Sequence, residues 1–183
     1  MPGSKVIRTR NHHPRKIISY MAAAAIIILV IYYLPNYFFL EKTTADHTAL
    51  LLNFIGMRVQ TSVISGDVYL AQIKIVKDCT GVQVIAVFFG LIIPVPEAPL
   101  RKKLLALLFV SALLYAANIL RIALEFSLLY LNILPWSIAH YPLSLLLGIM
   151  GVLALVFVSD HLLPEFGDFI LNVARAGGSL NAQ

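Results

Sequence analysis

LLALLFVSALLYAANILRIALEFSLLY, residues 104–130, carries only two charges, Arg121 and Glu125, and is long enough to cross a lipid bilayer as a helix. Arg101, Lys102 and Lys103 stand directly before it. The whole chain has 183 residues, 60% hydrophobic and 13% charged, a balance far too apolar for a soluble domain of this size. The bilayer is therefore the expected solvent. The length suits one integral membrane unit and leaves no room for a separate soluble domain.

Three more runs meet the requirement of roughly 20 mostly uncharged residues, or approach it. They lie at about 18–40, 80–96 (the shortest) and 141–159. Pro35, Pro94, Pro96, Pro135 and Pro142 fall near their ends, where a missing amide proton costs least. The first run follows a basic stretch but is longer than a signal core and lacks a small-residue cleavage site, so it reads as an uncleaved anchor. The expected fold is an all-α integral membrane protein of about four transmembrane helices.

Basic residues set the expected orientation. Lys5, Arg8, Arg10, Arg15 and Lys16 precede the first run, and Arg101–Lys103 lie between the second and third. Both tracts belong on the cytoplasmic side, and the net charge of +5 reads as topology information rather than a nucleic-acid footprint. The four basic residues of the segment 41–79 are balanced by Glu41, Asp46, Asp67 and Asp78, which suits the outside. Both termini are then cytoplasmic. The expected divisions are a basic arm at 1–17, a membrane domain at 18–163 with an extracytoplasmic insert at about 41–78, and a tail at 164–183. Within the insert, 44–57 has helical apolar spacing behind a Thr44 cap, and Gly66-Asp67 separates two short β-favouring runs, which predicts a small hairpin.

Topology then brings polar residues together. The single cysteine, Cys79, sits at the outer mouth of the second run, so neither an intrachain disulfide nor a CxxC pair is available. Arg121 lies eighteen residues beyond Lys103, ~27 Å at the helical rise, against a hydrocarbon core about 30 Å thick. His140 opens the fourth run after an uncharged outer loop. A thiol, a guanidinium and an imidazole thus arrive at one depth on one side. Taken singly, each has a plain structural reading: a small buried hydrophobe, a snorkelling cation, an interfacial anchor. Together they are the parts of a nucleophilic site, in which a thiolate–imidazole pair attacks a carbonyl and a fixed cation holds the oxyanion. Asn118 lies one turn before Arg121 and could orient it or donate to the oxyanion; Tyr115 and Glu125 extend the same face, Glu125 as a structural ion pair. Asp78, beside the cysteine, has no assigned role. No metal-ligand spacing appears, and no cofactor is expected.

The stretch DCTG (78–81) at the mouth of a membrane helix, NILR (118–121) on the next and a His opening the one after resemble the exosortase/archaeosortase family. Cys79-Thr80-Gly81 with Gln83 is most similar to the archaeal branch, and the likeness covers about 68–159. The resemblance implies a membrane cysteine transpeptidase that recognises a C-terminal sorting signal of surface proteins: a short motif, a transmembrane helix and a basic tail. It cleaves near the motif through a thioester on Cys79 and transfers the product to an amine-bearing lipid. Arg121 would serve substrate or oxyanion, and His140 would carry the proton. Many relatives have six to eight membrane helices, so a partner or self-association would complete the docking groove. Two other readings compete: an interfacial cysteine protease that uses water, and a non-catalytic transport or assembly subunit.

Overall fold

The run quoted above belongs to one continuous helix, α4 (Leu100–Tyr130), of 31 residues and about 46 Å. The computed structural model describes residues 14–34, 36–96, 98–168 and 171, without the side chains of residues 14–16, Trp136 and His140. Most of the basic arm and most of the C-terminal tail lie outside the described residues.

The first helix, α1 (Pro14–Tyr32), stops well short of the expected end at 40. The break is local chemistry. Asn36 Oδ1 accepts the Phe38 amide at 2.8 Å, a turn that starts a new helix, α2 (Phe38–Phe54). Thr44 is therefore no cap; it is buried inside α2, which begins six residues earlier than expected. α2 leads to β1 (Thr61–Ile64), β2 (Asp67–Leu70) and β3 (Ile73–Ile75), an antiparallel sheet in that order. The expected hairpin is thus a three-stranded meander. Its first turn, Ser65-Gly66, has φ of 55° and 88°, the two-residue form that Gly at the second position favours. Its second turn places Ala71 at φ 51°, with its amide bonded to Gln60 O at 2.9 Å.

A 3-10 turn (Lys77–Thr80) then enters α3 (Val82–Ile92), which has only 11 residues, about 17 Å. After α4, a short α5 (Trp136–Ile138) and a π-helical turn (Ala139–Leu143) holding Pro142 lead into α6 (Ser144–Leu162). Among the described residues two helices are long and apolar enough to cross a membrane: α4, and Tyr141–Leu162 containing α6. The apolar parts of the other two, Ile17–Tyr32 and Val82–Ile92, fall short of that length, so the expected four spans resolve into two long helices and two short ones.

The short pair packs antiparallel. Tyr20 Oη donates to Leu91 O at 2.7 Å at one end, and Lys77 Nζ donates to Tyr32 O at 2.8 Å at the other. Gly90 allows the approach: a Cβ there would lie 2.8 Å from Ala24 O and 2.5 Å from Ile28 Cγ1. Small residues at a crossing let membrane helices gain van der Waals contact where lipid offers no hydrophobic drive.

α4 joins two cores. Its first half contributes Ala106, Leu107, Val110 and Leu114 to a cluster with Phe88 and Ile92 of α3 and Leu155 of α6. Its last third contributes Ile122, Ala123 and Phe126 to a second cluster with Ala45, Ala49 and Leu52 of α2 and Val68, Leu70 and Ile75 of the sheet. The first cluster is ringed by exposed Ile18, Met21, Leu105, Leu108, Phe109, Leu146 and Leu153, as lipid-facing helices require. The seam between the two clusters, at residues 115–121 of α4, is where the polar residues fall.

Candidate active site

Thr80 builds the turn that holds the cysteine. Its buried hydroxyl donates to Lys77 O at 2.6 Å and accepts the Val82 amide at 3.3 Å, while the Cys79 amide donates to Val76 O at 2.8 Å. Gly81 closes the turn at φ 76°, in the left-handed region that a Cβ disfavours. The space is closed as well, since a Cβ on Gly81 would sit 2.9 Å from Leu114 Cδ2 and 3.5 Å from Asn118 Cγ. The CTG triplet is therefore a geometric unit: cysteine, turn lock and close approach to α4.

Asn118 ties that unit to the cation. Its Nδ2 donates to Cys79 O at 2.7 Å, and its Oδ1 accepts from Arg121 Nη2 at 3.2 Å. Arg121 Nη1 also donates to the Ser144 hydroxyl at the start of α6 and lies 3.5 Å from Glu125 Oε1. Arg121 thus reaches the cysteine turn through Asn118, and Glu125 holds it from behind in the ion pair expected of it. Asp78 accepts from Gln83 Nε2 across the first turn of α3.

The half-buried Cys79 side chain packs against the cluster formed by α2, the sheet and α4. Burial pushes its thiol above the ordinary value; the Val76 backbone and the Arg121 charge pull it down, and Glu125 and Asp78 oppose them. The resting sulfur is a thiol, so attack on a carbonyl needs a base.

The expected proton carrier, His140, has its backbone in the π-helical turn, one helical turn before Ser144. Its side chain lies outside the described residues, so the expected meeting of thiol, guanidinium and imidazole is described only as far as the Arg121–Asn118–Cys79 backbone link. Tyr115 departs from expectation. At 100° per residue it stands about 60° to one side of Asn118 and Arg121 about 60° to the other. Its hydroxyl meets His47 Nδ1 of α2 at 2.9 Å. Sequence reasoning passed over His47, which no spacing links to residue 115. Only its place on the outer insert was readable. Among the described residues no group of three or more His, Cys, Asp or Glu is placed to hold a metal ion.

At the opposite end, Lys103 Nζ donates to Ile93 O at 2.7 Å and Lys102 pairs with Glu165 at 2.9 Å. The basic cluster and the cysteine turn therefore occupy opposite ends of the bundle.

The family model of the transmembrane exosortases matches residues 13–132, which takes in α1, α2, the sheet, the cysteine turn and α4. The match begins far earlier than the likeness at 68–159 and ends eight residues before His140. No curated protein and no solved structure matches the chain. With about two thirds of its length matched, and with Cys79, Asn118 and Arg121 gathered at the seam of a membrane-type helical bundle, the chain belongs to the transmembrane exosortase family.

Proposed function

We propose that this protein is a membrane cysteine transpeptidase that cleaves a C-terminal sorting signal of surface proteins and passes the acyl group to an amine-bearing lipid. The observation that carries the reading is the chain of contacts Cys79–Asn118–Arg121, which ties a cation to the backbone of the turn that holds the one thiol. Cys79 Sγ attacks the scissile carbonyl, and the C–N bond breaks to leave a thioester. Arg121 and the Asn118 amide stabilise the tetrahedral oxyanion; a donor of that kind contributes roughly 3 kcal/mol. His140 takes the thiol proton and returns it to the leaving amine.

In this reading all four helices cross, with both termini and Arg101–Lys103 cytoplasmic. Asn118 lies fifteen residues beyond Lys103, about 22 Å, so the site sits just beneath the outer boundary of a core about 30 Å thick. α1 and α3 are shorter than that thickness, and the bilayer thins around them. A substrate helix anchored in the same membrane presents its scissile bond at this depth and meets the enzyme at high effective concentration.

The test is co-expression with a surface protein from the same genome that ends in motif, helix and basic tail. The wild-type chain removes the tail and leaves a lipid-linked C-terminus by mass spectrometry; Cys79→Ala leaves the substrate whole. Processing by C79A would end the enzyme reading, and a free carboxylate product would favour the protease.

A further inference from the structure

The cysteine turn has two polar flanks. On one side Arg121 meets Ser144 of α6, with His140 a turn away. On the other, Tyr115 of α4 meets His47 of α2: Nδ1 to Oη is 2.9 Å and the rings stand edge-on, centroids 5.9 Å apart at 74°. Asn118, which holds the Cys79 carbonyl, lies between the flanks, one turn from Tyr115. The Cys79 side chain packs into the cluster that α2 and the sheet form against α4, so the sulfur is on the α2 flank of the turn. His47 is exposed and Tyr115 half-buried, so the imidazole is accessible from outside the protein.

Resting on the transpeptidase reading, we propose that His47, oriented by Tyr115, is the base of the second half-reaction, in which a primary amine takes the acyl group from Cys79. In the tautomer that serves, His47 Nδ1–H donates to Tyr115 Oη, and the lone pair stands on Nε2. The amine nitrogen attacks the thioester carbonyl; the N–C bond forms and the C–S bond breaks. Nε2 takes the proton that the amine sheds and returns it to the departing Cys79 thiolate, which restores thiol and neutral imidazole. The two flanks divide the labour. The α6 side, bordered by a lipid-exposed helix, handles the leaving group of a membrane-anchored substrate. The α2 side, with its accessible imidazole, admits the acceptor. Tyr115 is a positioning residue: it fixes the ring and the tautomer and touches no reacting atom.

The experiment uses the full chain in lipid nanodiscs, p-nitrophenyl acetate as acyl donor and ethanolamine as acceptor. Wild type gives a Cys79-dependent burst of p-nitrophenolate. The acetyl-enzyme, freed of excess ester, then yields N-acetylethanolamine. His47→Gln is expected to form the acetyl thioester, seen by intact mass, and to transfer it about a hundredfold more slowly, the lower end of acid–base contributions. Free imidazole restores part of that rate, which a purely structural role for His47 would not allow. Tyr115→Phe slows transfer in the same direction by a smaller factor. Transfer by H47Q at the wild-type rate overturns the assignment, and so does loss of the burst in H47Q, which would place His47 in acylation or folding. Absence of any Cys79-dependent burst in wild type is a different failure: it removes the transpeptidase reading and this inference with it.

Discussion

Asn118 is the residue on which the site's geometry turns, and its removal has a calculable effect. It is almost fully buried and makes two bonds: one donated to Cys79 O at 2.7 Å, one accepted from Arg121 at 3.2 Å. Leaving a buried carbonyl without its donor costs about 1–3 kcal/mol, and a hydrogen bond to a charged group contributes about 1.5–3 kcal/mol. The two share one side chain and are not additive, so Asn118→Ala should cost about 2–4 kcal/mol of site organisation. If half of that appears in the barrier to acylation, the rate falls roughly fivefold to thirtyfold, at about 1.4 kcal/mol per tenfold. Asn118→Asp separates the two bonds. It keeps an acceptor for Arg121 but loses the amide donor and sets a negative charge against the Cys79 carbonyl. The assay is the burst rate of p-nitrophenolate release by each variant in nanodiscs, with C79A subtracted. N118D should be as slow as N118A. Wild-type acylation by N118D, with N118A slow, would mean that the bond to Cys79 O is not what positions the nucleophile, and the reasoning fails.

Two other outcomes follow from the same turn. Gly81→Ala places a Cβ at φ 76° and 2.9 Å from Leu114 Cδ2, which costs about 1–2 kcal/mol for the backbone and at least about 1 kcal/mol for the contact. Thermal unfolding of G81A in detergent should show the full loss and G81A/L114V a smaller one relative to L114V; unchanged stability in G81A would refute the close approach. Burial raises the Cys79 pKa, so iodoacetamide alkylation should rise with pH with a midpoint above that of a free cysteine peptide. Because the folded value exceeds the unfolded one, the stability linked to this thiol is fully present below the unfolded pKa and is lost as pH rises through the folded one. Arg121→Gln should move the midpoint higher and Glu125→Gln lower, and a wild-type midpoint below that of the peptide would contradict the burial.

How much of this was legible depends on the range of each interaction. Asn118 and Arg121 stand out because two polar residues three apart interrupt an apolar helix, and helical rise alone placed them at one end of the bundle. Cys79-Thr80-Gly81 was legible as a boundary, and the glycine has the backbone role that a turn demands. The end of α1 was not, because Tyr37, Phe38 and Phe39 continue the apolar run past the Asn36 turn. The second sheet turn was hidden as well: Ala71 at φ 51° leaves no compositional trace, unlike Ser65-Gly66. α3 read as longer than it is, since hydropathy continues through Ile93 and Val95 after the helix has ended. The Tyr115–His47 contact joins residues 68 apart and exists only because α2 packs on α4. No local pattern encodes it.

The sparse docking of α6 bears on how the molecule is made. Only Leu155 and Ser159 of that helix are buried, and in its most apolar window 11% of residues are covered by protein. Such a helix satisfies its own backbone and is stable in lipid without neighbours, so insertion and association are separate events. During synthesis α1 to α4 emerge first and can assemble with Cys79, Asn118 and Arg121 already in register. Ser144 follows and supplies the guanidinium with a further partner. The cation is thus capped after the nucleophile and its clamp are in place, and a chain interrupted before α6 already carries both.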